Sequence, residues 1–275
     1  MATLKSKRFR DRLSSLTKIR LKDLMPDFPQ IVEPTTGESM GEAAERMAKE
    51  NGISREDQDA LAVESHRRAA NAIDQGYFKE QIIPIELKSR KGTTIFDTDE
   101  HVRRDVSIQG MAKLATVFKK EGSVTAGNAS GINDGAAALM LVEANYAERK
   151  GLQAMARLIG YAHAGVEPSL MGTGPIPAVK KLMEKTGLTI GDMDVIEANE
   201  AFAVQALAVL RELGLDETKT NPNGSGISLG HPVGATGSII TVKALYELQR
   251  IGGRYALVTM CIGGGQGIAA IFERI

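Results

Sequence analysis

Hydrophobic and polar positions alternate in a regular way along the second half of the chain. Short apolar runs at 156–162, 195–197, 255–260 and 268–272 predict strands, and the stretches 178–185, 201–213 and 238–250 predict helices between them. Each predicted helix is followed within two residues by a glycine, a common helix terminator: Gly187, Gly214 and Gly252. Strands and helices that alternate across short connections predict an α/β fold with layers, from about residue 154 to the end.

The first half has a different pattern, which is polar and mostly helical. Ser39 with Glu42, and Ser54 with Asp57, have the spacing of capping signals at the start of a helix. They predict helices that run to about residues 51 and 75. The apolar run 136–142 predicts a buried strand, or a helix that flanks one.

A basic segment lies near the start of the chain. Between Lys5 and Lys22 there are eight basic residues and one acidic residue, Asp11, with Phe9, Leu13 and Leu16 at helical spacing. Such a helix can lie on an anionic membrane surface or dock a partner, and it also has the composition of a transit peptide. A solvated helix on the surface is the plainer interpretation and stays open beside the others.

Composition narrows the class of protein. The 275 residues have zero formal net charge, 43% hydrophobic and 25% charged residues, which excludes wholesale disorder and argues against a dedicated nucleic-acid-binding protein. A single cysteine excludes an intramolecular disulfide framework and a cysteine-rich zinc site. It favours a reducing, cytoplasmic location, and no apolar run approaches the ~20 residues of a membrane helix.

Two familiar signatures are weak here. The four histidines have no metal-ligand spacing, so no metal site is predicted. Residues 37–41 fit G-x-S-x-G, the nucleophile elbow of α/β-hydrolases, but that turn must follow a strand. The run before it is short and contains Pro34, and a capping role explains Ser39 without catalysis. A hydrolase with Ser39 as nucleophile is the least favoured alternative.

Three segments in the second half place reactive side chains in or beside glycine-rich turns, which let a backbone approach a ligand closely. His231 lies between Gly230 and Pro232, where a catalytic role competes with a structural hydrogen bond. Cys261 is either a small buried hydrophobe or, with N–H donors after it, a stabilised thiolate. Asn199 is either a site residue or the N-cap of the helix that follows.

Together these segments resemble the thiolases, the acetyl-CoA acetyltransferases and 3-ketoacyl-CoA thiolases. The motifs are Asn-Glu-Ala-Phe at 199–202, Gly-His-Pro at 230–232 and Cys-Ile-Gly-Gly-Gly at 261–265, in family order. The resemblance extends upstream through 123–137 and Met40-Gly41 to about residue 35. The basic segment is similar to the inserted loop of thiolases in fatty-acid-oxidation complexes.

The resemblance implies a reaction and roles. The reaction is thiolytic cleavage of a 3-ketoacyl-CoA, or condensation of acetyl-CoA to acetoacetyl-CoA, with coenzyme A as substrate and no metal or organic cofactor. By this resemblance, His231 accepts the proton of a nucleophilic cysteine and helps to bind the thioester oxygen, and Asn199 holds a water beside that oxygen. Cys261 is the acid/base group of the reaction. The Gly263 N–H is a donor of a second oxyanion hole. The implied CoA contacts are Arg103, Ala126, Ser130, Met40, Ala201 and Phe202.

The resemblance also implies a missing part. Thiolases form an acyl-enzyme on a cysteine in their first half, and this sequence has only Cys261. We therefore expect the N-terminal domain to be largely absent, with a loop domain at 1–132, a remnant at 133–153 and the C-terminal thiolase domain at 154–275. The run 136–142 then loses its neighbours, and the chain alone is expected to be inactive.

Two consequences for binding follow. The expected partners are acyl-CoA and CoA, a second copy or a complementary thiolase chain, and a membrane surface or complex partner at the basic segment, but no nucleic acid. A non-catalytic fragment that binds CoA or pairs with another chain is the main alternative to an enzyme.

Overall fold

Two capped helices open the part of the chain that the structure describes. The computed structural model describes residues 32–33, 35–90 and 92–275, and residues 33–275 form one compact unit. Helix α1 (Met40–Glu50) begins at a capping box between Ser39 and Glu42, and α2 (Arg55–Asp74) begins with Ser54 accepting from the Asp57 N–H. Both predicted helix starts are confirmed, and the ends agree with the prediction to within a residue.

A two-stranded hairpin and two short helices connect these helices to the second half. Strands β1 (Ile85–Ser89) and β2 (Gly92–Phe96) pair antiparallel, and α3 (Ile108–Met111) and α4 (Ala144–Lys150) follow. Every residue of the two strands is exposed.

A four-stranded sheet forms the centre of the second half. Its strands are β3 (Ala156–Gly165), β4 (Val195–Ala198), β5 (Tyr255–Ile262) and β6 (Gln266–Arg274), in the order β3-β6-β5-β4. Strand β4 is parallel to β5, and the other pairs are antiparallel. The parallel pair brings the carboxyl ends of β4 and β5 to the same edge, where Asn199 and Cys261 lie.

Helices cover both faces of this sheet, as predicted for an α/β fold. They are α5 (Pro175–Thr186), α6 (Ala203–Leu213), the one-turn α7 (Gly226–Leu229) and α8 (Thr236–Ile251), with 3₁₀ turns at Pro168–Thr173 and Ile190–Asp192. On one face Leu182 and Val209 pack against Ile196 and Leu257. On the other face Ile240 and Leu248 of α8 pack against β4 and β5.

The run 136–142 does not form the predicted buried strand or helix. Residues 131–143 have no helix or strand, and Met140 and Leu141 are 83% and 77% exposed. An all-apolar run suits burial on several sides, but the described part of the chain places no strand or helix over it. The run is exposed among the described residues, and the expectation that it loses neighbours for want of a domain stays a prediction.

Two further points concern the expected surroundings of the chain. No helix in the described ranges is long and apolar enough to cross a bilayer. The basic segment between Lys5 and Lys22 lies outside the described residues, so its predicted contacts with a membrane or a partner stay predictions.

Candidate active site

Asn199 follows β4 directly and is held by the sheet and by a neighbouring loop. Its N–H donates to the Thr259 carbonyl at 3.0 Å. Asn221, at φ 48°, accepts from the Ala198 N–H at 2.9 Å and donates to the Ala198 carbonyl at 2.7 Å. Helix α6 takes Phe202 as its N-cap, without a side-chain bond. The interpretation of Asn199 as an N-cap is therefore wrong, because the helix starts too late for its side chain to reach.

His231 lies in a turn that only a glycine-like backbone permits. Gly230 has φ 93°, and a Cβ there would lie 2.5 Å from Asn133 Oδ1. The His231 N–H donates to the same oxygen at 3.2 Å. The ring is fixed by Nδ1, 2.7 Å from Thr236 Oγ1, and by Nε2, 3.4 Å from Asn199 Nδ2. Burial lowers the pKa of His231, so the ring is neutral at pH 7.

Asn199 keeps one polar atom unused. Its side chain is buried, its Nδ2 faces His231, and its Oδ1 has no hydrogen-bond partner among the described residues. A buried acceptor without a partner costs free energy unless a ligand or a water satisfies it. The pair Asn199–His231 therefore presents polar atoms to a bound molecule and not only to the protein.

Cys261 lies at the end of β5 in an apolar cluster. It is 7% exposed and packs with Met171 and Ala201, and Met40 and Phe202 lie against the same cluster. Burial raises the pKa of the Cys261 thiol to about 11. Desolvation disfavours the anion more than its backbone hydrogen bond favours it, so the surroundings of Cys261 favour the thiol form. Its acid/base role stays a prediction.

The turn after Cys261 is anchored from far along the chain. Residues 263–265 connect β5 to β6, and Gly263 is exposed there. The Gly264 N–H donates to Glu33 Oε2 at 2.8 Å. Hydrogen bonds from Thr35 and from Gly264 lower the pKa of Glu33, which keeps it ionised. The carboxylate thus orders the turn that contains the expected oxyanion donor, the Gly263 N–H.

The expected CoA contacts fall into two groups. Met40, Ala201 and Phe202 surround Cys261, and the Ser130 N–H donates to the Ala201 carbonyl at 3.0 Å. Ala126 is exposed on the same 123–130 loop. This loop is fixed to α1 by Glu45, which accepts from the Ser123 and Val124 N–H groups, and to α2 by Asn128, which donates to Asp59.

Arg103 is on a separate exposed loop. Its N–H donates to His66 Nδ1 at 3.1 Å. The adjoining His101 lies 3.4 Å from Asn133, whose Oδ1 accepts from His231. The structure thus joins the Arg103 loop to the His231 turn through one side chain.

Ser39 has no catalytic surroundings. Its Oγ accepts from the Glu42 N–H and donates to Glu42 Oε2 at 2.8 Å, and its own N–H donates to the same carboxylate. Both hydroxyl functions serve the helix start. The hydrolase alternative therefore has no support.

A buried ion pair joins α8 to β4, next to the candidate site. Lys243 of α8 donates to Glu197 Oε2 at 2.8 Å and to the Gly224 carbonyl at 2.5 Å. Both side chains are at most 5% exposed, and Glu197 Oε1 has no partner among the described residues. Burial raises the pKa of Glu197 to about 7, although Lys243 opposes that shift.

Comparison with known families assigns both halves of the chain. Residues 2–145 match the family model described as "Thiolase, N-terminal domain", and residues 152–274 match "Thiolase, C-terminal domain". The chain belongs to the thiolase family. The expectation that the N-terminal thiolase domain is largely absent is wrong as stated, because the region assigned to a separate loop domain matches the N-terminal model. The finer division at residues 132 and 153 stays a prediction.

Curated thiolases are similar over most of this chain. The beta-ketothiolase BktB of Cupriavidus necator is 66% identical over 237 residues, which are 86% of this chain and 60% of that protein. The acetyl-CoA acetyltransferase of Syntrophomonas wolfei is 52% identical over 241 residues, which are 87% of this chain and 61% of that protein. The chain thus spans about 60% of the length of these relatives.

Solved thiolase structures have the same fold. The Bacillus anthracis acetyl-CoA acetyltransferase superposes with a TM-score of 0.87 at 48% identity, over 89% of this chain and 62% of that one. Human mitochondrial 3-ketoacyl-CoA thiolase in complex with CoA superposes with a TM-score of 0.83 at 43% identity, over 89% of this chain and 61% of that one. The predicted thiolase fold is confirmed.

Three residues around the candidate site are not apparent from the sequence. Thr236 contacts the His231 ring, Asn221 holds the end of β4, and Glu33 orders the glycine turn. Asn221 contacts a residue 23 positions away in the sequence, and Glu33 contacts one 231 positions away. Local sequence patterns do not predict contacts over such separations. Thr236 is only five residues from His231, so a hydroxyl soon after a candidate histidine is the one available signal.

Proposed function

We propose that this protein transfers acyl groups between CoA thioesters, by condensation of acetyl-CoA or by thiolysis of a 3-ketoacyl-CoA. The observation that carries the proposal is the Asn199–His231 pair, with a neutral ring and an unsatisfied Asn199 Oδ1, on the sheet edge that also holds Cys261. The names of the relatives, beta-ketothiolase and acetyl-CoA acetyltransferase, support the same class of reaction.

His231 is the proton acceptor of the site. Its neutral ring takes a proton at Nε2, and the resulting Nε2–H then donates toward a substrate thioester oxygen. Asn199 lies beside it and, with the water that the family resemblance implies, completes the donor set. Donors fixed before the reaction stabilise a developing enolate or tetrahedral oxyanion without reorganisation.

Cys261 moves a proton to and from the substrate carbon. In thiolysis the Cys261 thiol gives its proton to the α-carbon of the departing acetyl-CoA enolate, and the thiolate then takes the proton of the incoming CoA thiol. In condensation the thiolate takes a proton from acetyl-CoA. A resting pKa of about 11 suits the donor role, and the thiolate forms when the thiol gives its proton to the departing enolate or, in condensation, to the departing CoA thiolate.

The family resemblance implies an acyl-enzyme on a cysteine other than the acid/base one. The sequence contains one cysteine, and Cys261 has the acid/base role here. We assign no acyl-carrying residue among the 275, and inactivity of the chain alone in net thiolysis stays a prediction. A homo-oligomer or a complementary thiolase chain as partner, and the absence of any cofactor, are likewise untested expectations.

CoA binding tests the substrate class. We expect calorimetric titration with CoA to show binding that weakens with added salt, because exposed phosphate contacts are screened. The family resemblance implies that Arg103 lies near the adenine of CoA, so Arg103→Ala should weaken binding about 2–5-fold, the value of an exposed cation–π contact of 0.5–1 kcal/mol. Arg104→Ala is the matched control, since it removes the same charge from a side chain paired with Asp74. Equal CoA affinity in Arg103→Ala and Arg104→Ala would show that Arg103 does not contact the adenine.

Ser39→Ala separates stability from binding in the same titration. It removes the capping box of α1 and should cost about 1 kcal/mol of stability. It should leave CoA affinity unchanged.

A further inference from the structure

Thr236 is a buried hydroxyl in contact with the ring of His231. It is the first residue of α8, is 2% exposed, and its Oγ1 lies 2.7 Å from His231 Nδ1 and 2.9 Å from the Pro232 carbonyl oxygen. At 2.7 Å the contact with the ring is short for a hydrogen bond that involves nitrogen.

The two contacts together determine which ring nitrogen carries the proton. A threonine hydroxyl has one proton, and a carbonyl oxygen can only accept. The Thr236 hydroxyl donates to the Pro232 carbonyl, which also accepts from the Ala235 and Thr236 N–H groups, and Oγ1 then offers a lone pair to His231. Nδ1 must then be the protonated nitrogen of the neutral ring, and Nε2 is left with its lone pair.

The other side of the ring agrees with this assignment. The nearest polar atom to Nε2 is Asn199 Nδ2 at 3.4 Å, which can only donate. The remaining hydrogen bonds of His231, from its N–H to Asn133 Oδ1 and to the Gly131 carbonyl, fix the backbone and not the tautomer.

We propose that Thr236 is a positioning residue that holds His231 in the Nδ1–H tautomer with Nε2 free as proton acceptor. The inference rests on the proposed function in one respect, that the reaction uses Nε2. When Nε2 takes a proton, Oγ1 continues to accept from the Nδ1–H. The Nε2–H is then free to donate to the substrate. In the opposite tautomer Nε2–H would face the Asn199 amide donor, and the ring could take no proton on the substrate side.

The tautomer can be measured without any activity. In protein labelled with ¹⁵N-histidine, two-bond proton–nitrogen correlations distinguish Nδ1–H from Nε2–H, and His231→Gln identifies the His231 signals among those of four histidines. We expect Nδ1–H in the parent protein and in Thr236→Ser, which keeps the hydroxyl. Thr236→Val keeps the shape without the acceptor, and a mixture or the Nε2–H form is expected.

Two spectra overturn the proposal. A parent protein in the Nε2–H form would show that Thr236 does not fix the ring as inferred, and this holds even where Thr236→Val fails to fold. Thr236→Val with the parent's Nδ1–H spectrum would show that something else selects the tautomer.

Kinetics separate positioning from a structural role. With acetyl-CoA in D₂O, Thr236→Val should lower the kcat for methyl proton exchange about 10–100-fold, the range found when the partner of a metal-bound histidine is removed. KM should stay unchanged, and Thr236→Ser should restore the rate. Loss of rate in both variants would contradict the positioning role. If the parent shows no exchange, the proposed function fails, and the tautomer spectra still decide the role of Thr236.

Discussion

Replacing His231 with alanine is expected to slow solvent exchange of the acetyl-CoA methyl protons by about 10²–10³-fold, the effect of removing one oxyanion donor. In the proposed reaction His231, once protonated at Nε2, donates to the enolate oxygen. Without the imidazole, only the neighbouring Asn199 amide remains as a side-chain donor there. Exchange is followed by mass spectrometry of acetyl-CoA incubated in D₂O.

His163→Ala is the matched control for this substitution. His163 is exposed on β3 and its carbonyl accepts from Lys181, a contact that alanine keeps. The control should exchange at the parent rate. A His231→Ala variant that also exchanges at the parent rate would show that His231 takes no part in the reaction.

Replacing Lys243 with methionine is expected to destabilise the fold by about 3–5 kcal/mol at pH 8.5, because it leaves Glu197 buried without its cation. Glu197 already has a pKa of about 7 in place of 4.5, and loss of Lys243 raises it further. A raised carboxyl pKa makes the folded state lose stability as pH rises from the unfolded value through the folded one. The deficit should therefore be smaller at pH 5.5 than at pH 8.5 in urea unfolding.

Two variants test the cause of that loss. Glu197→Gln with Lys243→Met removes both charges and should recover much of the stability, since a neutral amide costs less to bury than a carboxylate. Lys180→Met breaks an exposed pair with Glu212 and should change stability by less than about 1 kcal/mol. A Lys243→Met protein as stable as the parent at pH 8.5 would contradict the buried-pair account.

Local signals in the sequence are enough to predict most helices and strands. Ser39 and Ser54 begin helices because a side-chain oxygen satisfies a free N–H there, which depends only on neighbouring residues. Gly187, Gly214 and Gly252 end helices in the left-handed conformation for a similarly local reason. The motifs around Asn199, His231 and Cys261 are sufficient to locate the candidate site along the chain.

What depends on distant neighbours is not predictable in this way. The run 136–142 has the composition of a buried strand, but burial needs a partner that the run itself cannot specify. The protonation of Cys261 depends on Met171 and Ala201 packing around it, which raises its pKa where the turn alone suggests the opposite. Thr236 gains its role from the direction of one hydroxyl proton, which sequence does not show.

We propose above all that Cys261 is the acid/base group of a thiolase-type reaction on CoA thioesters. The most direct test compares the parent protein with Cys261→Ala in the exchange of acetyl-CoA methyl protons with D₂O, a step that requires no acyl-enzyme. The account predicts exchange above the buffer rate in the parent protein and the buffer rate in Cys261→Ala. Equal exchange in the two proteins would contradict it.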